Sequence, residues 1–289
     1  MNLAIGFFDG VHLGHQRILE GADSVFTFEN HPATVLSPAH VPPLLMDLDE
    51  RVRCLKAIGV RKGSERNVHA VQFTREFASL SPAGFAEYLR GRFPDIDRMH
   101  CGANWRFGLN GAGTPEELRR YGFDVKVADC ATHRGERISS TRIRRALSEG
   151  ILDDANAMLG RPFSVCGRIA GGKGIAKTLG TATLNVMVTA PLKLGVYAVR
   201  TDIGPGLANY GIAPTMGDKA WTSPVLEVHL FDGSQLSDMG DPDMLRVEFI
   251  SFLRPERTFP SIGALRDQIA ADVASARIRL ADRSSRRGL

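Results

Sequence analysis

The chain changes texture once, near residue 160, and that change limits its fold more than any other feature. Upstream, short apolar runs alternate with helical patterns. Leu3–Ile5, Ser24–Phe28, Val68–Phe73, Arg98–Cys101 and Phe123–Ala128 read as strands. Helix starts stand between them. Asp47 with Glu50 forms a capping-box pattern, followed by Val52, Leu55 and Ile58 at helical spacing. Ser81-Pro82 and Thr114-Pro115 put proline at the first helical position behind a hydroxyl cap. Strand–helix alternation of this kind predicts an α/β domain with a parallel sheet and helices packed on its faces. Ligands of such sheets bind at the carboxyl ends of the strands.

Downstream, a helical pattern over Leu152–Leu159 stops at Gly160, and Arg161-Pro162 breaks the chain. Phe163–Ile169, Gly195–Arg200, Val225–Leu230 and Leu245–Ile250 then alternate or are β-branched, with Gly, Pro and Asp between them. That texture predicts a small antiparallel β-barrel. A last helix from Ser261 carries Ile262, Leu265, Ile269, Val273 and Ala276 on one face, read as core packing that covers the barrel. Two domains are therefore expected, 1–160 and 161–289.

Composition narrows the function. With 43% apolar and 24% charged residues in 289, the chain is globular. A net charge of +4 suits phosphorylated ligands, and no long Lys/Arg block argues for nucleic acid. The tail Arg283–Arg287 reads as a solvated end. Cys54, Cys101, Cys130 and Cys166 are widely spaced without a Cys-x-x-Cys pair, so structural thiols in a reducing compartment are expected. The N-terminus has no basic leader with an apolar core, and no apolar run approaches the ~18 residues of a membrane span. A soluble, cytoplasmic protein, monomeric or weakly self-associating, is the expectation.

Chemistry concentrates where strands end. Gly6-Phe7-Phe8-Asp9-Gly10-Val11-His12-Leu13-Gly14-His15 links the first strand to a helix. Two imidazoles three apart at a helix start share one face. Gly6 and Gly10 permit close backbone approach, and the helix start favours an anion. Gly6, Phe8, Asp9 and Gly10 with His12 and His15 thus form a candidate site for nucleotide phosphates and for charge growing on a leaving pyrophosphate. Two histidines alone would favour a metal pair or an ordinary surface, and the glycines, the Asp9 turn and the strand–turn–helix context reverse that balance. Ser139-Ser140-Thr141 before a helix offers hydroxyls and amides, and Arg142 adds a cation suited to phosphate. By itself that stretch is as readily an ordinary cap. Phe28-Glu-Asn-His-Pro32 and Gly102-Ala-Asn-Trp-Arg-Phe-Gly108 follow two further strands.

Together these motifs, across nearly the whole chain, resemble the bacterial bifunctional riboflavin kinase/FMN adenylyltransferase (FAD synthetase) family. The resemblance implies a Rossmann-like nucleotidyltransferase domain joined to a riboflavin kinase barrel. It implies riboflavin, ATP, FMN and FAD as ligands, and Mg²⁺. It places His12 and His15 at ATP phosphates and His31 in a Phe-x-Pro-His-Pro-like element where Asn30 replaces proline. It puts Asn104 at nucleotide or flavin, and Ser140, Thr141 and Arg142 at phosphates across the cleft. In the second domain Ala182-Thr183-Leu184-Asn185 aligns with the family's Pro-Thr-Ala-Asn, which makes Thr183 and Asn185 the metal ligands. Lys173 and Lys177 stand for flap arginines, Asn209 opens a further ligand loop, and Glu227 falls at the general base. Arg254 and Glu256 match a structural Leu-Arg-x-Glu element.

Two departures stand out. Proline and alanine are lost from the Pro-Thr-Ala-Asn motif. Only nine residues separate His15 from Val25, so the first helix must be about two turns long or the second strand displaced. An enzyme with one working module, and a non-catalytic flavin- or nucleotide-binding regulator, are the alternatives left by these departures.

Overall fold

The computed structural model describes residues 1–58, 66–170, 183–212, 224–232 and 244–285. The chain divides into two compact units, Met1–Ser140 and Thr141–Leu289.

In the first unit, β1 (Asn2–Ile5), β2 (Ser24–Phe28), β3 (Asn67–Val71), β4 (Arg98–Gly102) and β5 (Val125–Ala128) form a sheet of order β3-β2-β1-β4-β5. All its pairings are parallel. Around it lie α1 (Leu13–Leu19), α2 (Ala33–Leu36), α3 (Leu48–Ala57), α4 (Arg75–Ala78), α5 (Pro82–Arg92) and α6 (Pro115–Arg120). Strand alternation splits the core. Leu3 and Ile5 join Phe26, Phe85, Leu89 and Leu118 on one face, while Ala4 joins Val25, Leu19 and Leu55 on the other. The caps form where the sequence marks them: Asp47, Ser81 and Thr114 accept from the amides of Glu50, Gly84 and Glu117. A short ladder, β6 (Thr132–His133) with β7 (Glu136–Arg137), turns at Arg134 and Gly135, both at positive φ.

The first crossover closes without displacing its strand. Its helix α1 is seven residues, two turns, and Leu3 pairs with Ser24 in regular parallel register. The turn before α1 supplies the remaining length. Because the chain adds strands in one direction from β1 to β3 and in the other from β4 to β5, the topological switch lies between β1 and β4. The crevice at their carboxyl ends is where such a sheet takes its ligand.

His100 on β4 is 3% exposed, and its Nε2 has no partner among the described residues. Burial holds its pKa below the usual histidine range, with Lys126 and Arg98 pushing the same way. The unfolded chain therefore takes up a proton that the fold refuses. Stability is unaffected while both states are neutral and is lost as pH falls below the ordinary histidine pKa, by at most about 1.4 kcal/mol per pH unit. We expect His100→Leu to flatten the decline in urea midpoint between about pH 7 and 5. An unchanged slope would mean that the folded state accommodates the proton.

The second unit opens with most of α7 (Ser140–Glu149) and with α8 (Leu152–Leu159), which ends at Gly160 in the left-handed conformation, φ 72°. Buried Asn156 of α8 receives the Phe163 amide at 2.7 Å and donates to the Phe249 carbonyl at 3.0 Å. Six strands follow: β8 (Phe163–Ile169), β9 (Thr183–Met187), β10 (Gly195–Thr201), β11 (Gly204–Gly211), β12 (Val225–Leu230) and β13 (Met244–Arg254). They close a barrel of order β10-β11-β12-β9-β8-β13 through antiparallel pairs. The sequence reading missed β9 and β11. In β11 a Cβ at Gly206 would collide with the His229 carbonyl, so glycine lets β12 approach. The long α9 (Ile262–Ser285) packs Ala276 and Leu280 on Val196, Ala198, Leu207 and Ile250.

Candidate functional site

The turn after β1 is strained and heavily held. Phe8 and Val11 sit at φ 59° and 39°, in the left-handed region that non-glycine residues avoid, and Gly10 at 84°. The buried Asp9 carboxylate accepts the Leu45 amide at 2.9 and 3.2 Å, and the Asp9 carbonyl accepts Ser140 Oγ at 2.9 Å. Thr27 Oγ1 donates to the Phe7 carbonyl at 3.1 Å. Gly6 and Phe8 also pack on one another. A Cβ at Gly6 would lie 3.1 Å from the Phe8 ring, and that ring is buried. Both residues shape the turn.

His12 is the N-cap of α1, and its Nδ1 accepts the His15 amide at 3.2 Å. This corrects the picture of an open helix start, since one first-turn N–H is already spent on the histidine. It also sets the tautomer. With Nδ1 accepting, a neutral His12 carries its proton on Nε2. The His15 ring stacks on His12 at 3.6 Å between centroids and meets Phe8 edge-on at 5.4 Å. Gly14 makes the stack possible, because a Cβ there would press to 3.1 Å on the His12 ring. The spacing His-x-Gly-His is thus a packing unit.

Two more predicted residues lie at strand exits of this sheet. His31 follows β2, accepts the Ala33 amide on Nδ1 at 3.0 Å and stands edge-on to Phe7 at 4.7 Å. Beside it Asn30, where the family has proline, clasps Phe73 after β3 by accepting its amide at 2.8 Å and donating to its carbonyl at 3.0 Å. Asn104 is exposed in the loop after β4, next to Trp105, which stacks on Phe107 at 4.9 Å. Thr141 and Arg142 follow Ser140 in α7 as the first residues of the second unit. A cavity of about 960 Å³ lies along α1, lined by Leu13, Gln16, Val127, Ala128, Cys130 and Ile138 among others. No sequence motif pointed to it.

In the second unit the barrel register gathers the predicted residues. Asn185 on β9 faces Glu227 on β12, which faces Asn209 on β11. Asn209 in turn faces Val196 on β10, and Val196 faces Arg254 on β13. Cross-strand partners share a face, so one belt crosses five strands. Thr183 faces His229 two positions along the same side. Thr183, Asn209 and Glu227 line a cavity of about 870 Å³ with Leu265, Ile269 and Asp272 of α9. The last helix is therefore a wall of the site and not packing alone.

Glu227 keeps much of its area open, yet it stands against the cavity wall. Desolvation there, and then the charge of Glu256, raises its pKa above the usual carboxylate range. Asn209 Nδ2 lies 3.4 Å from Glu256 Oε1, and that carboxylate occupies the space a Cβ on Gly211 would fill. Glu256 thus enters the site, where the sequence suggested a structural role. Arg254 is structural: it pairs bidentately with buried Asp272 at 2.8–3.1 Å, and Gln268 donates to the same carboxylate at 2.8 Å. Lys173 and Lys177, like Ala182, lie outside the described residues. Among the described residues no three His, Cys, Asp or Glu side chains converge as a metal nest. Thr183 and Asn185 offer hard, neutral oxygens, which fit Mg²⁺ better than a softer metal.

Comparison with known proteins matches two families to the chain. Residues 1–142 match the family model for FAD synthetase, and residues 159–280 match that for riboflavin kinase. Curated relatives called bifunctional riboflavin kinase/FMN adenylyltransferase include one from Listeria monocytogenes, 32% identical over 93% of this chain and 89% of that protein. Another from Pseudomonas fluorescens is 36% identical over 94% and 91%. One from Escherichia coli is 34% identical over 95% and 91%. A crystal structure from Streptococcus pneumoniae described as a macrolide-efflux protein superposes with a TM-score of 0.78 at 26% identity, covering 96% of this chain and 93% of the other. Among the described residues here, no helix is long and apolar enough to cross a membrane. The chain belongs to the bifunctional riboflavin kinase/FMN adenylyltransferase family.

Proposed function

We propose that the chain phosphorylates riboflavin to FMN with one ATP and joins FMN to the adenylyl group of a second ATP, giving FAD and pyrophosphate. Phosphorylation is assigned to 161–289 and adenylylation to 1–160. In the barrel, Glu227 takes the proton of the riboflavin 5′-hydroxyl as its oxygen attacks the γ-phosphorus and ADP leaves. Thr183 and Asn185 would hold Mg²⁺, which when bound neutralises ATP phosphate charge; Lys173, Lys177 and Asn209 serve nucleotide and flavin. In the sheet domain, the FMN phosphate attacks the α-phosphorus in line. His12 and His15 donate to the phosphates and to the leaving pyrophosphate. Asp9 and Gly10 shape that turn. His31 and Asn104 address flavin or nucleotide, and Ser140, Thr141 and Arg142 the phosphates. The cavity beside α1, with Leu13, Val127 and Ile138 as apolar walls, suits the adenine base.

The observation that carries the reading is the Asn185–Glu227–Asn209 row, which supports a base beside a neutral oxygen ligand, with Thr183, Asn209 and Glu227 lining one cavity. We assign the enzyme to the cytoplasm, as a monomer or weak homo-oligomer with no nucleic-acid partner. The single-module and non-catalytic alternatives find no support in the relatives, whose names carry both activities. The test is a chromatographic time course with riboflavin, ATP and Mg²⁺. FMN should rise first and then convert to FAD. No FMN from riboflavin would remove the kinase assignment, and no FAD from added FMN would remove the adenylyltransferase one.

A further inference from the structure

Arg51 of α3 is fully buried, and among the described residues its Nε and Nη1 have no hydrogen-bond partner. Its Nη2 donates to the Phe28 carbonyl, the last of β2, and to the Glu29 carbonyl at 3.2 Å. The guanidinium carbon lies over the Phe7 ring, 4.0 Å from its centroid. Phe7 begins the strained turn, and its ring meets that of His31 edge-on. Burial lowers the Arg51 pKa to about 10, against the favourable charges of Asp9 and Asp47, so it stays a cation at neutral pH. A leucine or methionine would fill the same volume without a desolvated charge. What an apolar residue cannot do is hold two carbonyls at the sheet exit and an aromatic face of the turn at once.

We infer that Arg51 is a positioning residue for adenylyl transfer, locking the β2 exit to Phe7 so that the Phe8–Val11 path aims His12 and His15. The inference rests on the adenylyltransferase reading of the first unit. Its two unpartnered nitrogens are sealed from solvent, so Arg51 acts through the turn and not by touching phosphate. The turn has other anchors, Thr27 Oγ1 on the Phe7 carbonyl and the Leu45 amide and Ser140 on Asp9, but these hold backbone and carboxylate, whereas Arg51 lies over the Phe7 ring. A non-glycine backbone in the left-handed region relaxes when such a hold is released. The histidine donors then move off line, and a misplacement of about 1 Å is worth on the order of 100-fold in rate.

The test uses the full chain with Arg51→Met, Arg51→Lys and Phe7→Leu. We expect Arg51→Met to lower kcat for FAD formation about 10- to 100-fold, with KM for ATP and FMN held within about threefold. Arg51→Lys, which keeps the charge but not the planar fork, should recover part of the loss. Phe7→Leu, which spares the arginine and its carbonyl bonds, should lose kcat in the same direction and serves as the decisive variant if Arg51→Met does not fold. The ring-proton NMR signals of His12 and His15 should shift in Arg51→Met and Phe7→Leu, although Arg51 touches neither ring. Riboflavin phosphorylation by the same samples should stay within about twofold, which shows the second unit undisturbed. Unchanged kcat, a loss confined to KM, or unmoved histidine signals would overturn the inference. Failure of the unaltered protein to make FAD from FMN would instead overturn the reading beneath it.

Discussion

Glu227→Gln is expected to lower kcat for riboflavin phosphorylation by about 10²- to 10³-fold, the range for removing a positioned general base. FAD formation from added FMN should hold within about twofold. Glutamine keeps the shape and the cross-strand place between Asn185 and Asn209, so a loss reports the missing proton acceptor and not a broken barrel. Glu227→Ala should lose at least as much. The pH profile separates base from bystander. A base works ionised, and the Glu227 pKa is raised by desolvation and by Glu256. Activity should therefore fall on the acid side at a pH above the ordinary carboxylate range. Glu256→Gln removes one raising charge, so that acid limb should move to lower pH. A limb that stays put would detach Glu256 from the base, and a Glu227→Gln variant with normal kcat would discard the base itself.

His15→Ala carries the second large effect. FAD formation from FMN should drop by about 100-fold, near 2.7 kcal/mol of transition-state stabilisation, with phosphorylation of riboflavin retained. His15 is a cleaner probe than His12. The His12 cap receives the backbone amide of residue 15, which alanine preserves, whereas His12→Ala removes the cap with the donor. The loss should lie in kcat for the chemical step, because a donor to the leaving pyrophosphate is used most as its charge appears. A His15→Ala enzyme with wild-type kcat and a higher KM for ATP would make His15 a binding group only.

Much of this architecture was legible in the residue order. Strands such as Ser24–Phe28 declared themselves because their side chains are buried without interruption, and the caps at Asp47, Ser81 and Thr114 because a cap is a local bond. What hid was set by tertiary approach. The Gly204–Gly211 segment looks like a loop, yet its Gly206 and Gly211 are small because a carbonyl and a carboxylate lie against them. His12 is an uncommon helix cap, so its role could not be read from type. Arg51 sits in a helix where arginine ordinarily reaches solvent, and tertiary packing that includes Phe7 and the β2 exit buries it. Glu227 and Asn209 were found through motifs, but that they face one another depends on strand register, which no motif spells out.

That register ties the fate of the kinase chemistry to the barrel itself. Along a strand successive side chains point to opposite sides, so slipping β12 by one residue would carry Glu227 inside and bring Leu226 or Val228, both fully buried, out to the cavity. There is no graded way to misplace this base. A closed ring of six strands also has no free edge from which to slide. Substitutions in the second unit should therefore sort into two kinds, those that leave the belt whole and those that abolish barrel and phosphorylation together.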